Sequence, residues 1–209
     1  MLNGGAGDDT MRGRGGNDTY IVDSANDTVD ESVANSTGTD TVQASISFSL
    51  LNSARVLGVF ENLSLTGNAD IDGTGNSANN VLTGNGGANV LDGGAGNDTL
   101  TGGLGADTFR FSTALNASTN KDTITDFNVA DDTIALEHTV FTAVGSLGTL
   151  APESFHIGTA AADADDRIIY NSATGTLTYD TNGNATGGAV QFANIGAGLA
   201  LTNADFMVA

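Results

Sequence analysis

The chain has 209 residues, 25 acidic against 6 basic, with a formal charge of −19 and a pI near 4.1. That charge would repel a duplex or an anionic membrane surface, so nucleic acid and membrane insertion are excluded as roles, and divalent cations or basic partners remain. There is no cysteine, hence no disulfide, no thiolate metal site and no cysteine nucleophile, and no apolar run approaches the roughly 18–20 residues of a membrane helix.

Glycine is abundant, 29 residues, while Pro152 is the single proline. This balance predicts repeated tight turns rather than a flexible Pro/Gly linker. The first residues have neither a basic nor an apolar leader region, so no Sec-type signal is read. Met1-Leu2-Asn3 fits the end of a nine-residue unit, which predicts that the chain is the C-terminal part of a longer protein. Residues 4–12 form a complete unit, Gly-Gly-Ala-Gly-Asp-Asp-Thr-Met-Arg. Residues 13–21 repeat it with Arg14 in place of the second glycine. Residues 22–30 lack the glycines but keep Asp27 and Val29 in register. Apolar residues therefore recur at Leu2, Met11, Tyr20 and Val29, and acidic ones at Asp9, Asp18 and Asp27, each nine apart.

From Glu31 the register breaks. Gly38, Asp40 and Val42 recover half of the motif four residues late. Alternating and apolar runs at 42–51, 56–60 and 63–65 predict strands. We read 31–66 as a β-rich insertion joining two repeat blocks. Residues 67–74 are a degenerate unit one residue out of step. Four nonads then follow at 75–83, 84–92, 93–101 and 102–110, with Leu82, Leu91, Leu100 and Phe109 at intervals of nine. The last two match G-G-x-G-x-D-x-U-x throughout, where U is a large apolar residue.

These nonads resemble the RTX (repeats-in-toxin) family of haemolysin-type calcium-binding repeats. Asn62, Leu63, Leu65, Gly67 and Asn68 are similar to the entry into a roll in larger members. Lys121 to Phe127 and Asp131 to Leu136 resemble the segment that closes the roll of serralysin-type proteases. The resemblance implies an all-β fold, a calcium-binding parallel β-roll (a β-solenoid) with a C-terminal β-rich cap. It divides the chain into a first roll block at 1–30, the insertion at 31–66, a second block with its closing segment at 67–136, and the cap at 137–209. Strand-like runs at 167–170, 176–179 and 189–192 in the cap are separated by turns, Asn182-Gly183 among them. Asp163, Asp165 and Asp166 read as a solvated turn. The last residues, Asn203-Ala-Asp-Phe-Met-Val-Ala209, resemble the uncleaved signal of type I secretion substrates.

In such a roll each nonad bends over six residues and runs as a strand over three, and two nonads complete a coil. Bent turns aim carbonyl oxygens at the gap between coils, and the sixth-position Asp adds a carboxylate. Calcium prefers six to eight hard oxygens of this kind. The first-block ligands expected are Gly5, Gly7, Asp9, Gly16, Asp18 and Asp27. Those of the second are Asn80, Gly87, Asn89, Gly94, Gly96, Asp98, Gly103, Gly105, Asp107 and Asp126. Residues one coil apart should share an ion, which pairs Asp9 with Asp27, Asn80 with Asp98 and Asn89 with Asp107, each 18 apart. Asparagine ladders also bond the coils of metal-free solenoids, and for 75–92 that alternative stands beside the calcium reading. Asp122, Asp126 and Asp132 are open between ligands and a solvated capping loop.

His138 and His156 are the only histidines, neither in H-E-x-x-H, and no G-x-S-x-G is present, so no catalytic residue is assigned. The resemblance implies a secreted, extracellular calcium-binding region that folds on Ca2+ and directs export of a larger protein, with calcium ions and the type I (ABC transporter) apparatus as partners. The alternative is a stand-alone module contacting polysaccharide or a cell surface, like the repeat modules of alginate epimerases. Exposed aromatic residues lining one face would favour that role, yet the roll offers only Tyr20, Phe109 and Phe111, and the first two occupy the apolar position of the repeat.

Overall fold

A computed structural model describes residues 1–33 and 36–209. The first half contains β1 (Leu2–Asn3), β2 (Thr10–Arg12), β3 (Thr19–Val22), β4 (Thr28–Asp30), β5 (Thr41–Ala44), β6 (Phe48–Ser49), β7 (Val56–Leu57), β8 (Asn62–Leu65) and β9 (Gly73–Thr74). The main repeat block and closing segment contain β10 (Val81–Thr83), β11 (Val90–Asp92), β12 (Thr99–Thr101), β13 (Thr108–Phe111), β14 (Asp122–Ile124) and β15 (Thr133–Leu136). The last part contains β16 (Gly148–Thr149), β17 (Phe155–Ile157), β18 (Ile168–Asn171), β19 (Thr176–Asp180), β20 (Ala189–Asn194) and β21 (Phe206–Val208).

Strands this short bury little alone, so they are held by stacking on their equivalents in the next coil. On one face β1, β3, β5, β8, β10, β12, β14 and β20 pair in that order, all in parallel. On the other face β6, β9, β11, β13, β15 and β21 pair in parallel, while β2, β4 and β7 form a separate sheet. The result is a parallel β-solenoid of about six turns.

The core follows the strand ladders and keeps the nine-residue period within the main repeat block. Tyr20 stacks on Val42, Val42 on Leu63, Leu63 on Leu82, Leu82 on Leu100 and Leu100 on Ile124. Across from them Leu91, Phe109, Ile134 and Phe206 form a second column. All of these side chains are buried, whereas Val81 and Val90, one residue before a core leucine, face out. Successive side chains of a strand point to opposite faces, so each three-residue strand commits one large residue inward.

The segment at 31–66, expected as an insertion between two blocks, is part of the solenoid. Its strands β5 and β8 are consecutive rungs of the first face. Coils here are longer than 18 residues: Thr19 pairs with Thr41, and Thr41 with Asn62. The extra residues lie between the strands, where they leave the ladder intact. The third coil is nevertheless irregular. Its β7 pairs back onto β4, while its β6 pairs forward onto β9, so the second face is split there.

The C-terminal part extends both faces. β20 stacks on β14 and then turns into an antiparallel meander with β19 and β18. Phe192 meets Phe111 with ring centroids 5.0 Å apart and Phe141 at 5.2 Å, fixing the cap on the last coil. The final strand is set by local chemistry. Thr202 and Asp205 make a capping box that starts a single 3-10 turn, Asn203–Asp205, and delivers the buried Phe206 and Val208 into β21.

Candidate metal centre

The residue just before each strand sits at the corner of the coil, and these corners stack. On the first face the column is Asp18, Asp40, Glu61, Asn80, Asp98 and Asp122. The backbone N–H of Asp18 donates to Asp40 Oδ1 at 2.8 Å and that of Asp40 to Glu61 Oε2 at 2.8 Å. Asn80 donates in the same way to Asp98 Oδ1 at 2.7 Å, and Asp98 to Asp122 Oδ1 at 3.0 Å. On the other face Asp9 donates to Asp27 Oδ1 at 3.0 Å, Asn89 to Asp107 Oδ1 at 2.8 Å and Asp107 to Asp132 Oδ1 at 2.9 Å. One oxygen of each of these acidic side chains thus ties its coil to the one before it.

The three pairs expected at 18-residue spacing are all brought together. Three more contacts join residues at longer spacings: Asp18 to Asp40, Asp98 to Asp122 and Asp107 to Asp132. Asp40 carried a signal in the sequence, the half-motif Gly38, Asp40 and Val42, but its displacement hid its partner. Asp122 and Asp132 are buried rungs rather than a solvated capping loop. Asp126 stands apart and exposed, its two oxygens accepting from the N–H groups of Gly102 and Gly103, both at 2.9 Å. Asp166, expected in a solvated turn, is buried and accepts from the amides of Ala162 and Asp163.

Asn80 and Asn89 behave as hydrogen-bonding rungs. Their Oδ1 atoms accept from Asn76 and Asn85 in their own turns. Their amide groups donate to the carbonyls of Phe60 and Glu61, and of Ile71, in the coil before. The asparagine nonads thus satisfy inter-coil carbonyls with their own amides. The aspartate nonads have no such donor, and in two of them an oxygen is left over. Asp9 Oδ2 and Asp98 Oδ2 are buried with no hydrogen-bond partner.

The glycines explain how the carboxylates fit. In all six nonads with an initial glycine, a Cβ on that glycine would collide with the sixth-position side chain of the same unit, as between Gly93 and Asp98 or Gly102 and Asp107. Gly5, Gly7, Gly16, Gly94, Gly103 and Gly105 take positive φ, as does Gly96 at +132°. At Gly96 the requirement is double, because a Cβ would also stand 2.5 Å from the carbonyl oxygen of Ala78 one coil earlier. Gly87 lacks a positive φ but approaches the Ala69 carbonyl as closely. Backbone carbonyls and carboxylates of adjacent coils are therefore held close at the corners.

Electrostatics follow from this geometry. Burial raises the carboxyl groups of Asp98 and Asp122 above the ordinary range, and each carries a neighbouring carboxylate as a further cause. Burial likewise raises Asp107, Asp132, Asp40 and Glu31, with nearby carboxylates adding to the effect. The donor set, carboxylate and carbonyl oxygens without sulfur or imidazole in the columns, fits a hard cation such as calcium. A cation would meet the leftover oxygens and cancel the mutual repulsion.

The raised groups predict a pH dependence of the metal-free protein. A carboxyl whose folded value exceeds its unfolded value of about 3.9 stabilises the fold most below that value and loses the contribution as pH rises through the folded one. In EGTA, strand content measured by circular dichroism is therefore expected to be higher at pH 5.5 than at pH 7.5. Equal or lower strand content at pH 5.5 would contradict the repulsion argument.

A family model for the RTX calcium-binding nonapeptide repeat matches residues 1–29 and 74–109 in four copies. These two segments carry RTX-type calcium-binding repeats. A search of curated proteins finds no match. The matched RTX segments include the carboxylates with leftover oxygens, Asp9 and Asp98. The RTX repeats imply calcium as the ligand, and the donors just described are of the type that ion takes. Among the described residues no helix is long and apolar enough to cross a membrane. Tyr20, Phe109 and Phe111, the aromatic residues of the roll named above, are buried.

Proposed function

We propose that this chain is a non-catalytic, calcium-responsive region of a secreted protein. In this reading calcium binds between stacked coils at Asp9 and Asp27 and along the columns ending in Asp98–Asp122 and Asp107–Asp132. It folds the chain outside the cell, and the C-terminal segment directs export through a type I apparatus. The observation that carries the calcium-dependent part is the pair of buried carboxylate oxygens without partners, Asp9 Oδ2 and Asp98 Oδ2. An unpaired buried charge costs several kcal/mol unless something neutralises it, and a cation is the fitting neutraliser here.

The burial of the last residues sets a condition on such export. Phe206 and Val208 are buried, and β21 is hydrogen-bonded between β15 and β16. A transporter could read this segment only in the unfolded chain, and scarce cytosolic calcium would keep it readable. The test is secretion from a bacterium carrying a type I transporter for RTX substrates. Export of the full chain is expected, with loss on deleting residues 203–209 and on raising intracellular calcium during synthesis. Undiminished export of the truncated chain would overturn the secretion reading.

A further inference from the structure

We propose that Asp18, Glu31 and Asp40 form a separate cation site, built from three carboxylates, that takes a hard divalent or trivalent ion. Glu31 stands in phase with Gly4 and Gly13, at the position where a nonad begins with glycine. In the glycine-led nonads that position is empty space filled by the sixth-position side chain. Here it carries a carboxylate instead. The space above Gly13 is occupied by Glu31 Oε1, Tyr20 Oη and Asp18 Oδ2 together, and a Cβ on Gly13 would strike all three. The four extra residues of the next turn bring Asp40 beneath Asp18.

The three side chains each offer an oxygen, all within 4.8 Å of one another. One ion with calcium–oxygen distances of about 2.3–2.6 Å can bridge oxygens at that separation. Glu31 Oε1 is held by the Tyr20 hydroxyl, which also accepts from the Gly13 N–H. Its other oxygen, Oε2, is buried and has no hydrogen-bond partner, in a residue only 7% exposed. Glu61 closes the cluster from the next coil, binding the Asp40 N–H and lining the same small cavity with Gly38 and Gly58. Three clustered carboxylates give this site more negative charge than the aspartate corners of the regular repeats. Ligand charge count tunes affinity for such ions, so it should fill first and favour trivalent over divalent ions.

Tyr20 supplies the test. Its hydroxyl touches a proposed ligand, the chain has no tryptophan, and the other tyrosines, Tyr170 and Tyr179, have their hydroxyls engaged within the cap. Terbium added to the full-length chain should show emission sensitised by tyrosine excitation. Glu31→Gln, which keeps size and removes the charge, is expected to weaken terbium binding by at least about tenfold and to bind one ion fewer by calorimetry. Tyr20→Phe should lose the emission but keep the ion count. Asp40→Asn should reproduce the Glu31→Gln loss, and the far-UV spectrum in calcium shows that the variants fold. Asp98→Asn should leave the emission intact. Wild-type emission and ion count in Glu31→Gln would overturn the site. If the repeat sites fail to drive folding, strand content will ignore EGTA while the sensitised emission persists, so the two proposals fail separately.

Discussion

Removal of calcium is expected to unfold most of this chain at neutral pH. The core is two columns with one large side chain per short strand, such as Leu82 above Leu100 and Leu91 above Phe109. Ordering the backbone costs roughly 1–2 kcal/mol per residue, and a column that thin leaves little margin. The corners then work against the fold, because Asp98 and Asp122, or Asp107 and Asp132, are stacked and buried. With a Kd of about 10⁻⁴ M, as in extracellular calcium modules, 1 mM ion contributes roughly 1.4 kcal/mol per site. Sites sharing one solenoid add along its length, since each coil is stabilised mainly by its neighbours. A calcium titration from an EGTA-treated sample should therefore give a sigmoidal rise in strand signal and a drop in hydrodynamic radius. Strand content and radius unchanged by EGTA would end the idea of a calcium-driven fold.

Replacing Asp98 by asparagine should change stability in opposite directions with and without the ion. Asparagine keeps an Oδ1 that can accept from the Asn80 N–H, so the tie between coils survives. Without calcium the substitution removes a buried charge facing Asp122, and the metal-free chain becomes easier to fold. With calcium it removes a ligand whose Oδ2 has no other partner. The loss at 1 mM calcium should then be at least about 1.4 kcal/mol, the contribution of one such site. Urea denaturation of Asp98→Asn and wild type, in calcium and in EGTA at pH 5.5 where residual structure is expected, measures both. Destabilisation of the same size in both conditions would make Asp98 a packing residue and nothing more.

Strand positions were legible in the sequence because the apolar residue of each nonad must point inward. Tyr20, Leu82, Leu91, Leu100 and Phe109 are all buried where the period puts them. Corner pairs were legible only where coils keep 18 residues, as for Asp9 with Asp27 and Asn80 with Asp98. Turns lie outside the ladder, so their length is free to change without disturbing strand register. That freedom concealed the next-coil partners of Asp18, Asp98 and Asp107, namely Asp40, Asp122 and Asp132, and made residues 31–66 look like an insertion. The asparagines at 80 and 89 satisfy the spacing rule, but their amides bond carbonyls that an aspartate would leave free. Glu31 broke the glycine pattern, and a broken pattern gives no cue to the side chains it will meet across a coil.

The split in the third coil has a mechanical consequence. Among the described residues, strand pairing on the second face stops at β7 and resumes at β6, while the first face runs through β5 without interruption. Tension along the solenoid axis is shared by two sheets on either side of this coil but carried across it by one. Pulled from its ends, the molecule should bend open there like a book on its spine, with β3, β5 and β8 as the binding. Single-molecule force traces would then show a first, low-force extension belonging to this joint, ahead of the rupture of the regular repeats.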